Sequence, residues 1–233
     1  MTFRHYLAPH VRACSVRGHV VLLDVKKDEY IGVSTDQSAA LASAIAGWPR
    51  SELPVQTECE PSAIDSCLQE FQQSGLIVSA PPSKCLGRDT PAVPLSALID
   101  GYSEHRVPIA PRDVILFAAA CIRARVLLRL LSFEKVTRRV YLRGAHAPVN
   151  LDLTRSRVAV FRRLRPLLFT SKGECLFESL AMSEFLAFDR IFPLWVFGVD
   201  IAPFAAHCWL QAEDTVLNDT PEEVCRYTPI LVL

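Results

Sequence analysis

The chain has 233 residues, of which 50% are hydrophobic and 21% are charged, a size that allows one large domain or a large and a small one. Its 25 basic residues balance 25 acidic residues, so no overall field points to nucleic acid or to an anionic membrane. Residues 1–12 lack the apolar core of a signal peptide, and three arginines interrupt the apolar run 114–131. We therefore expect a cytoplasmic protein without a membrane span.

Eight cysteines are spread along the chain, and no two of them form a Cys-x-x-Cys pair. In a reducing cytoplasm such residues stay free and pack as small apolar side chains. Structural zinc sites usually take paired cysteines or histidines at short spacing. We therefore expect no metal site.

The first 80 residues predict a small domain of strands and helices. Short β-rich runs are separated by turn residues at Arg17–Gly18 and 26–28, and Ile64, Leu68 and Phe71 recur at helical spacing. The order of elements fits an α+β domain of winged-helix type. The predicted elements are strands at 11–16, 19–25 and 29–34, helices at 35–48 and 61–75, and a strand at 76–79.

A proline-rich stretch follows this domain. Residues 79–94 hold four of the 16 prolines and show almost no periodicity, so we predict a linker at 81–104. A second domain is expected at 105–233. Its apolar pattern predicts helices at 112–137, 157–169 and 175–188, and strands at 192–200, 205–211 and 215–219.

Positive charge is concentrated in one part of the second domain. Between Arg123 and Arg165 there are 12 basic residues against Glu134 and Asp152, a net charge of +10. A solvated helix surface is the usual explanation. The sharper hypothesis is a docking surface for an acidic partner, to which Arg138 and Arg139 would contribute.

Three residues of the second domain have the types that thiol enzymes use. Cys175 stands where a strong helix pattern begins, and the unpaired N–H groups there lower the pKa of a thiol and can bind an oxyanion. A cysteine nucleophile needs a base, and the base needs an orienting group. His207 and Asp219, on neighbouring strands, would meet side by side. Each residue alone is more often structural, but the three together favour a catalytic site.

The motifs around these residues resemble a known family. They are Cys-Leu-x-x-Ser-Leu-Ala-Met at 175–182, Phe-Gly-Val-x-x-x-Pro-Phe-x-Ala-His-x-Trp at 197–209 and Val-Leu-Asn-Asp at 216–219. They are similar to the transglutaminase-like leader peptidases, or B proteins, of lasso-peptide biosynthesis. The resemblance covers about residues 105–233 and implies a transglutaminase-like (papain-like) cysteine protease domain.

The resemblance also implies the role of each residue. Cys175 attacks the bond between the leader and the core of a ribosomal precursor peptide, His207 acts as general base and acid, and Asp219 orients His207. No cofactor is implied, because ATP is used by a separate asparagine synthetase-like cyclase that closes the macrolactam ring. The expected partners are the leader of the precursor and that cyclase, with no nucleic acid and no membrane.

The first 80 residues resemble the PqqD-like winged helix-turn-helix domain that such pathways use to hold the leader as an added strand beside a helix. An acidic balance of 9 acidic against 6 basic residues in 1–80 argues against DNA binding. The implied leader-binding residues are Tyr30, Ile31, Val33, Ile64, Leu68 and Phe71. Their apolar side chains could instead fill a small core.

Cys208 departs from the family pattern, which most often has alanine after the histidine. Alternation along a strand predicts that its side chain faces away from His207, so Cys175 is the expected nucleophile. The same triad would also serve an acyltransferase. A non-catalytic leader-binding scaffold and a winged-helix DNA regulator are the alternatives from other functional classes.

Overall fold

The structure is a computed structural model that describes residues 5–49, 61–82, 86–88, 90–98, 107–143, 150–168 and 174–233. The chain forms two compact units, one of residues 1–86 with 199–204 and the other of residues 87–198 with 205–233. Among the described residues, no helix is both long enough and apolar enough to cross a membrane.

The first unit contains an antiparallel sheet of three strands. They are β2 (Val11–Val16), β3 (His19–Asp24) and β4 (Glu29–Val33), where the sequence predicts strands. β3 lies in the middle and is buried from Val20 to Asp24, so both of its faces are covered. Arg17 and Gly18 join β2 to β3 with φ angles of 49° and 84°, the positive values that tight hairpin turns require.

A smaller sheet and two helices complete this unit. The elements are β1 (His5–Leu7), α1 (Thr35–Ala42), β5 (Ile45–Ala46), α2 (Pro61–Gln73) and β6 (Ile77–Val78). β1 pairs in parallel with β5 and antiparallel with β6. The predicted helix at 35–48 is therefore too long, because residues after Ala42 turn and pair with β1. The PqqD-like identity of the unit stays a prediction.

The second unit is built on a five-stranded sheet in the order β11-β8-β9-β10-β7. Its strands are β7 (Ser96–Ala97), β8 (Leu194–Ile201), β9 (Phe204–Ala212), β10 (Thr215–Val216) and β11 (Thr228–Val232), with residues 199–204 assigned to the first unit. β7 lies inside the stretch predicted as a linker and pairs in parallel with β10. Arg88 N–H also donates to Val232 O at 2.8 Å. Part of the predicted linker is therefore hydrogen-bonded to the second unit.

Five helices accompany this sheet in the described residues. They are α3 (Pro111–Leu130), α4 (Phe133–Arg143), α5 (Leu151–Leu164), α6 (Cys175–Ala187) and α7 (Pro221–Val224). The helical pattern predicted at 112–137 corresponds to two helices, because Leu131 is extended (φ −114°, ψ 147°) and ends α3. Val136 N–H then donates to Ser132 O at 3.1 Å, so a new helix starts at a serine, a favoured N-cap residue. α3 packs against α6, and α6 is almost fully buried.

Buried ion pairs connect the helices of the second unit. Glu184 of α6 is 1% exposed and lies 3.1 Å from Arg123 of α3, and it also accepts a hydrogen bond from Arg143 of α4. At least five of the 12 basic residues between Arg123 and Arg165 pair with described carboxylates, so much of the local positive charge is neutralised within the fold. These five are Arg123, Arg143, Arg155, Arg157 and Arg165.

Candidate active site

Cys175 is the first residue of α6 and is half-buried. Glu178 N–H donates to Glu174 O at 2.8 Å and closes the first turn. The first N–H groups of an α-helix point toward its N-terminal end, where they can donate to a bound group. The thiol thus lies where the helix favours negative charge, as predicted. Residues 169–173, which precede it, lie outside the described part of the chain.

His207 and Asp219 form a close pair beside this thiol. Nε2 of His207 on β9 lies 2.7 Å from Oδ2 of Asp219. The sequence predicted Asp219 at the end of a strand, but in the structure it lies in the bend that follows β10. Because Nε2 faces the carboxylate, Nδ1 is the ring nitrogen available to Cys175, with which His207 shares a hydrogen bond. The structure therefore brings all three predicted residues together.

Two aromatic rings fix the plane of the imidazole. The ring of Trp209 is stacked with that of His207 at a centroid distance of 6.2 Å, and the ring of Tyr227 lies 5.1 Å away at an angle of 35°. Gly198 allows this arrangement, because a Cβ atom there would lie 2.8 Å from Tyr227 Cβ and 3.0 Å from the Trp209 ring. The sequence alone did not indicate this packing around His207, because Gly198, Trp209 and Tyr227 are separated in the chain.

The electrostatics of the site favour a thiolate–imidazolium pair. A hydrogen bond from Cys208, together with the hydrogen bond and charge of His207, lowers the pKa of Cys175 to about 4 against the opposing effect of burial. Burial lowers the pKa of His207, but hydrogen bonds and charges from Asp219 and Cys175 prevail and raise it to about 9. Between these two values both groups are charged, which is the reactive form of a cysteine nucleophile.

Cys208 is a second thiol at the site, but a buried one. It is 2% exposed, and burial raises the pKa of this thiol well above its ordinary value. Its sulfur lies 3.3 Å from Ser179 Oγ, which also donates to Cys175 O at 2.6 Å and accepts from Trp195 Nε1 at 2.9 Å. Cys208 therefore faces α6. Strand alternation predicted that it faces away from His207, but both residues interact with Cys175. The neutral, buried state of Cys208 leaves Cys175 as the nucleophile candidate.

A cavity of about 650 Å³ opens onto Cys175, His207 and Asp219. Asn218, which belongs to the Val-Leu-Asn-Asp motif at 216–219, also lines it. Its Oδ1 accepts a hydrogen bond from Leu210 N–H at 2.7 Å, which fixes the side chain at the cavity with an amide group that can donate. Asn218 is therefore a candidate donor to a bound peptide. No group of three or more metal-ligating side chains occurs in the described residues.

An ion pair forms part of the wall of the cavity. Arg165 donates two parallel hydrogen bonds to Glu178, at 2.6 and 2.7 Å. The bond to Glu178 raises the pKa of Arg165, although burial opposes it. Paired guanidinium and carboxylate groups hold each other in a fixed plane, so this wall is preorganised. Sequence reasoning missed the pair because its members lie on either side of a stretch without clear periodicity.

The predicted leader-binding residues divide into two groups. Val33 and Phe71 are 3% and 7% exposed and belong to the core of the first unit, where the Phe71 ring lies 6.2 Å from that of Trp48. The four remaining residues are half-buried, but Ile31 and Leu68 also pack against that core and the Tyr30 ring lies 5.7 Å from that of Phe204. β4, which carries two of the four, is at an edge of its described sheet. These four are Tyr30, Ile31, Ile64 and Leu68.

One comparison with known proteins bears on this site. Residues 118–232 match the family model described as the transglutaminase-like superfamily. That range includes α6, β9 and the bend after β10, and hence Cys175, His207 and Asp219. This part of the chain is therefore similar to transglutaminase-like domains. No curated protein and no solved structure matched the chain.

Proposed function

We propose that this protein is a cysteine endopeptidase that removes the leader from the precursor of a lasso peptide. The observation that carries the proposal is the Cys175–His207–Asp219 arrangement, with its charged thiol and imidazole, in a transglutaminase-like domain. The resemblance of the surrounding motifs to lasso-peptide leader peptidases narrows the substrate to a ribosomal precursor peptide.

The reaction begins with the Cys175 thiolate, which attacks the carbonyl carbon of the bond between leader and core. The developing oxyanion is stabilised by N–H groups at the start of α6, with Asn218 as a further candidate donor. His207 donates its Nδ1 proton to the departing amine, so the C–N bond breaks and the core leaves with a free N-terminus. The leader is then joined to Cys175 as a thioester.

Water completes the cycle. Neutral His207 takes a proton from water, the resulting hydroxide attacks the thioester carbonyl, and the C–S bond breaks. The leader leaves as a carboxylic acid that loses its proton to the solvent, and the thiolate–imidazolium pair is restored. Asp219 holds the imidazole through Nε2 and stabilises its charged form in both halves of the reaction.

Residues 1–80 would hold the leader as an extra strand. The β4 edge is suited to this, because a Cβ atom at Gly32 would meet nothing within 4 Å and the neighbouring Tyr30 and Ile31 are only half-buried. Ile64 and Leu68 of α2 would add apolar contacts. Binding of the leader by one part of the chain raises the effective concentration of the scissile bond at the other. Val33 and Phe71 would support this surface from the core.

The proposed partners are the precursor peptide and an ATP-dependent, asparagine synthetase-like cyclase that receives the freed core amine. The protein itself would need no cofactor and would act in the cytoplasm. If the thioester were transferred to an amine instead of to water, the leader would carry the mass of that amine, so mass spectrometry separates a hydrolase from an acyltransferase.

The test is cleavage of the cognate precursor, with cyclase and ATP present, followed by mass spectrometry. We expect the wild type to release the leader at one bond. Cys175→Ala should still bind the precursor but lose cleavage, whereas Cys208→Ala should retain it. Cleavage by Cys175→Ala would overturn the assignment of the nucleophile, and binding without cleavage by the wild type would indicate a leader-binding scaffold.

A further inference from the structure

Helix α3 is apolar on two opposite faces. One face packs inside the second unit and includes Phe117, Ala120, Cys121 and Ala124. The other face carries large apolar side chains that remain exposed, although their burial would be favourable. These are Ile115 (68% exposed), Ile122 (64%), Val126 (45%) and Leu130 (76%).

The exposed residues form one continuous line. Together with Ala119 they are separated by four, three, four and four positions, the spacing that keeps side chains on one side of a helix. At a rise of about 1.5 Å per residue the line is about 22 Å long. We call Ile115, Ala119, Ile122, Val126 and Leu130 the α3 stripe. Single exposed apolar residues are normal, but a continuous line of them marks an interaction surface.

Arginines border the α3 stripe on both sides. At 100° per residue, Arg125 and Arg129 lie along one edge, and Arg112 and Arg123 lie along the other. All four are exposed, but Arg123 also pairs with Glu184 and Arg125 packs 4.3 Å over the Phe177 ring, so the charge of the rim comes mainly from Arg112 and Arg129, one on each side. α3 and α4 together contain eight basic and two acidic residues, a net charge of +6. Both acidic residues lie away from the stripe, since Asp113 is buried against Arg157 and Glu134 is on α4.

We propose that the α3 stripe is the docking site for a partner protein that presents an amphipathic helix edged with aspartate or glutamate. The apolar faces would pack in the manner of helix–helix contacts, and the arginines would meet the carboxylates at the rim. This inference depends only on the surface of α3, not on the peptidase activity.

Charge excludes a second copy of this chain as the occupant. Two α3 stripes packed against each other would bring arginine borders together, with no exposed acidic residue on α3 to pair with them. The residue types argue against a membrane surface. Helices that lie in a bilayer interface often present tryptophan or phenylalanine on their apolar face, and the exposed residues of α3 include neither.

The test uses a synthetic helical peptide with a leucine stripe edged by glutamates, titrated calorimetrically into the full chain. We expect binding that weakens as salt is added, because the rim contacts are exposed ion pairs. Ile122→Asp and Val126→Asp should each weaken binding by about tenfold or more, and so should replacing the glutamates of the peptide by lysines. Leu95→Asp is the matched control, because Leu95 is 75% exposed and lies outside α3; it should bind like the wild type.

Several results would overturn the proposal. These are equal binding of the glutamate and lysine peptides, unchanged binding by Ile122→Asp, or an equal loss with Leu95→Asp. Sedimentation that showed a wild-type dimer dissociated by Ile122→Asp would assign the stripe to self-association instead. Binding to anionic phospholipid vesicles that Ile122→Asp abolished, without binding of the peptide, would assign it to a membrane surface. Circular dichroism of each variant would verify the fold.

Discussion

Both oxygens of the Asp219 carboxylate are engaged, one of them by His207. Oδ2 lies 2.7 Å from Nε2 of His207, and Oδ1 accepts a hydrogen bond from Thr220 N–H at 2.8 Å. The carboxylate is therefore held from two sides and cannot rotate away from the ring. This fixes which nitrogen of His207 faces Cys175, and it holds the charge that stabilises the imidazolium.

Asp219→Asn should slow cleavage by about 10²-fold in kcat with little change in KM, because the orientation and charge of His207 are lost while the peptide-binding surface is kept. The carboxylate contributes to raising the pKa of His207 to about 9, so the alkaline limb of kcat/KM should move to lower pH in the variant. Glu222→Gln, an exposed carboxylate on α7, is the control. An unmoved alkaline limb would contradict this role of Asp219.

Cys208→Ala should leave cleavage at neutral pH within about threefold of the wild type, because the pKa of Cys175 lies far below 7. The hydrogen bond from Cys208 is the largest contribution to that low pKa. The acid limb of the pH–rate profile should therefore move upward. Complete loss of activity in a folded Cys208→Ala protein would show that the roles of the two thiols are reversed.

Gly198→Ala should destabilise the protein by about 1–3 kcal/mol, the usual effect of overpacking. The new methyl group would press on Trp209 and Tyr227, the two rings that flank His207, so cleavage should also be slower. Denaturant unfolding measures the first effect. Gly32→Ala is the matched control for stability, because its Cβ would meet nothing within 4 Å; equal losses in the two variants would refute the packing argument.

Glu184→Gln should lower the free energy of unfolding by about 2–4 kcal/mol, because Arg143 would keep its charge with no carboxylate partner. The lower value of this range applies if the loss of the Arg123 pair costs little, because that side chain is 46% exposed and partly solvated. Asp152→Asn removes the exposed pair with Arg155 and should cost less than about 1 kcal/mol. Similar midpoints of urea unfolding for the two variants would show that the ion pairs of Glu184 do not stabilise the packing of α3, α4 and α6.

The sequence was sufficient to predict that Cys175, His207 and Asp219 lie together, because each of them carries a local signal. Cys175 begins a strongly apolar helix, and His207 and Asp219 lie at either end of a short hairpin pattern. The contacts of Ser179 with Trp195 and Cys208 could not be predicted in this way. They join residues from three elements that only the packing of α6 on the sheet brings together.

Helix boundaries were predicted less well, for a physical reason. The apolar run through Leu131 contains no glycine or proline, so its pattern did not indicate the break before Ser132. α1 ends early because pairing of β5 with β1 outweighs the helix propensity of the alanines near Ala42. Only the second error therefore arises from a tertiary contact that overrides a local preference; the first is a local break at Leu131 followed by a helix that starts at Ser132.

The most direct test of the account is the pH dependence of Cys175 alkylation by iodoacetamide, followed by peptide mapping. The central claim is that Cys175 is a thiolate held by His207 at neutral pH. It predicts that alkylation of Cys175 is half-maximal near pH 4 and rapid at pH 6. Cys225, exposed on the same chain, provides an internal reference. If Cys175 reacted only above about pH 8, as an ordinary thiol does, the claim would be contradicted.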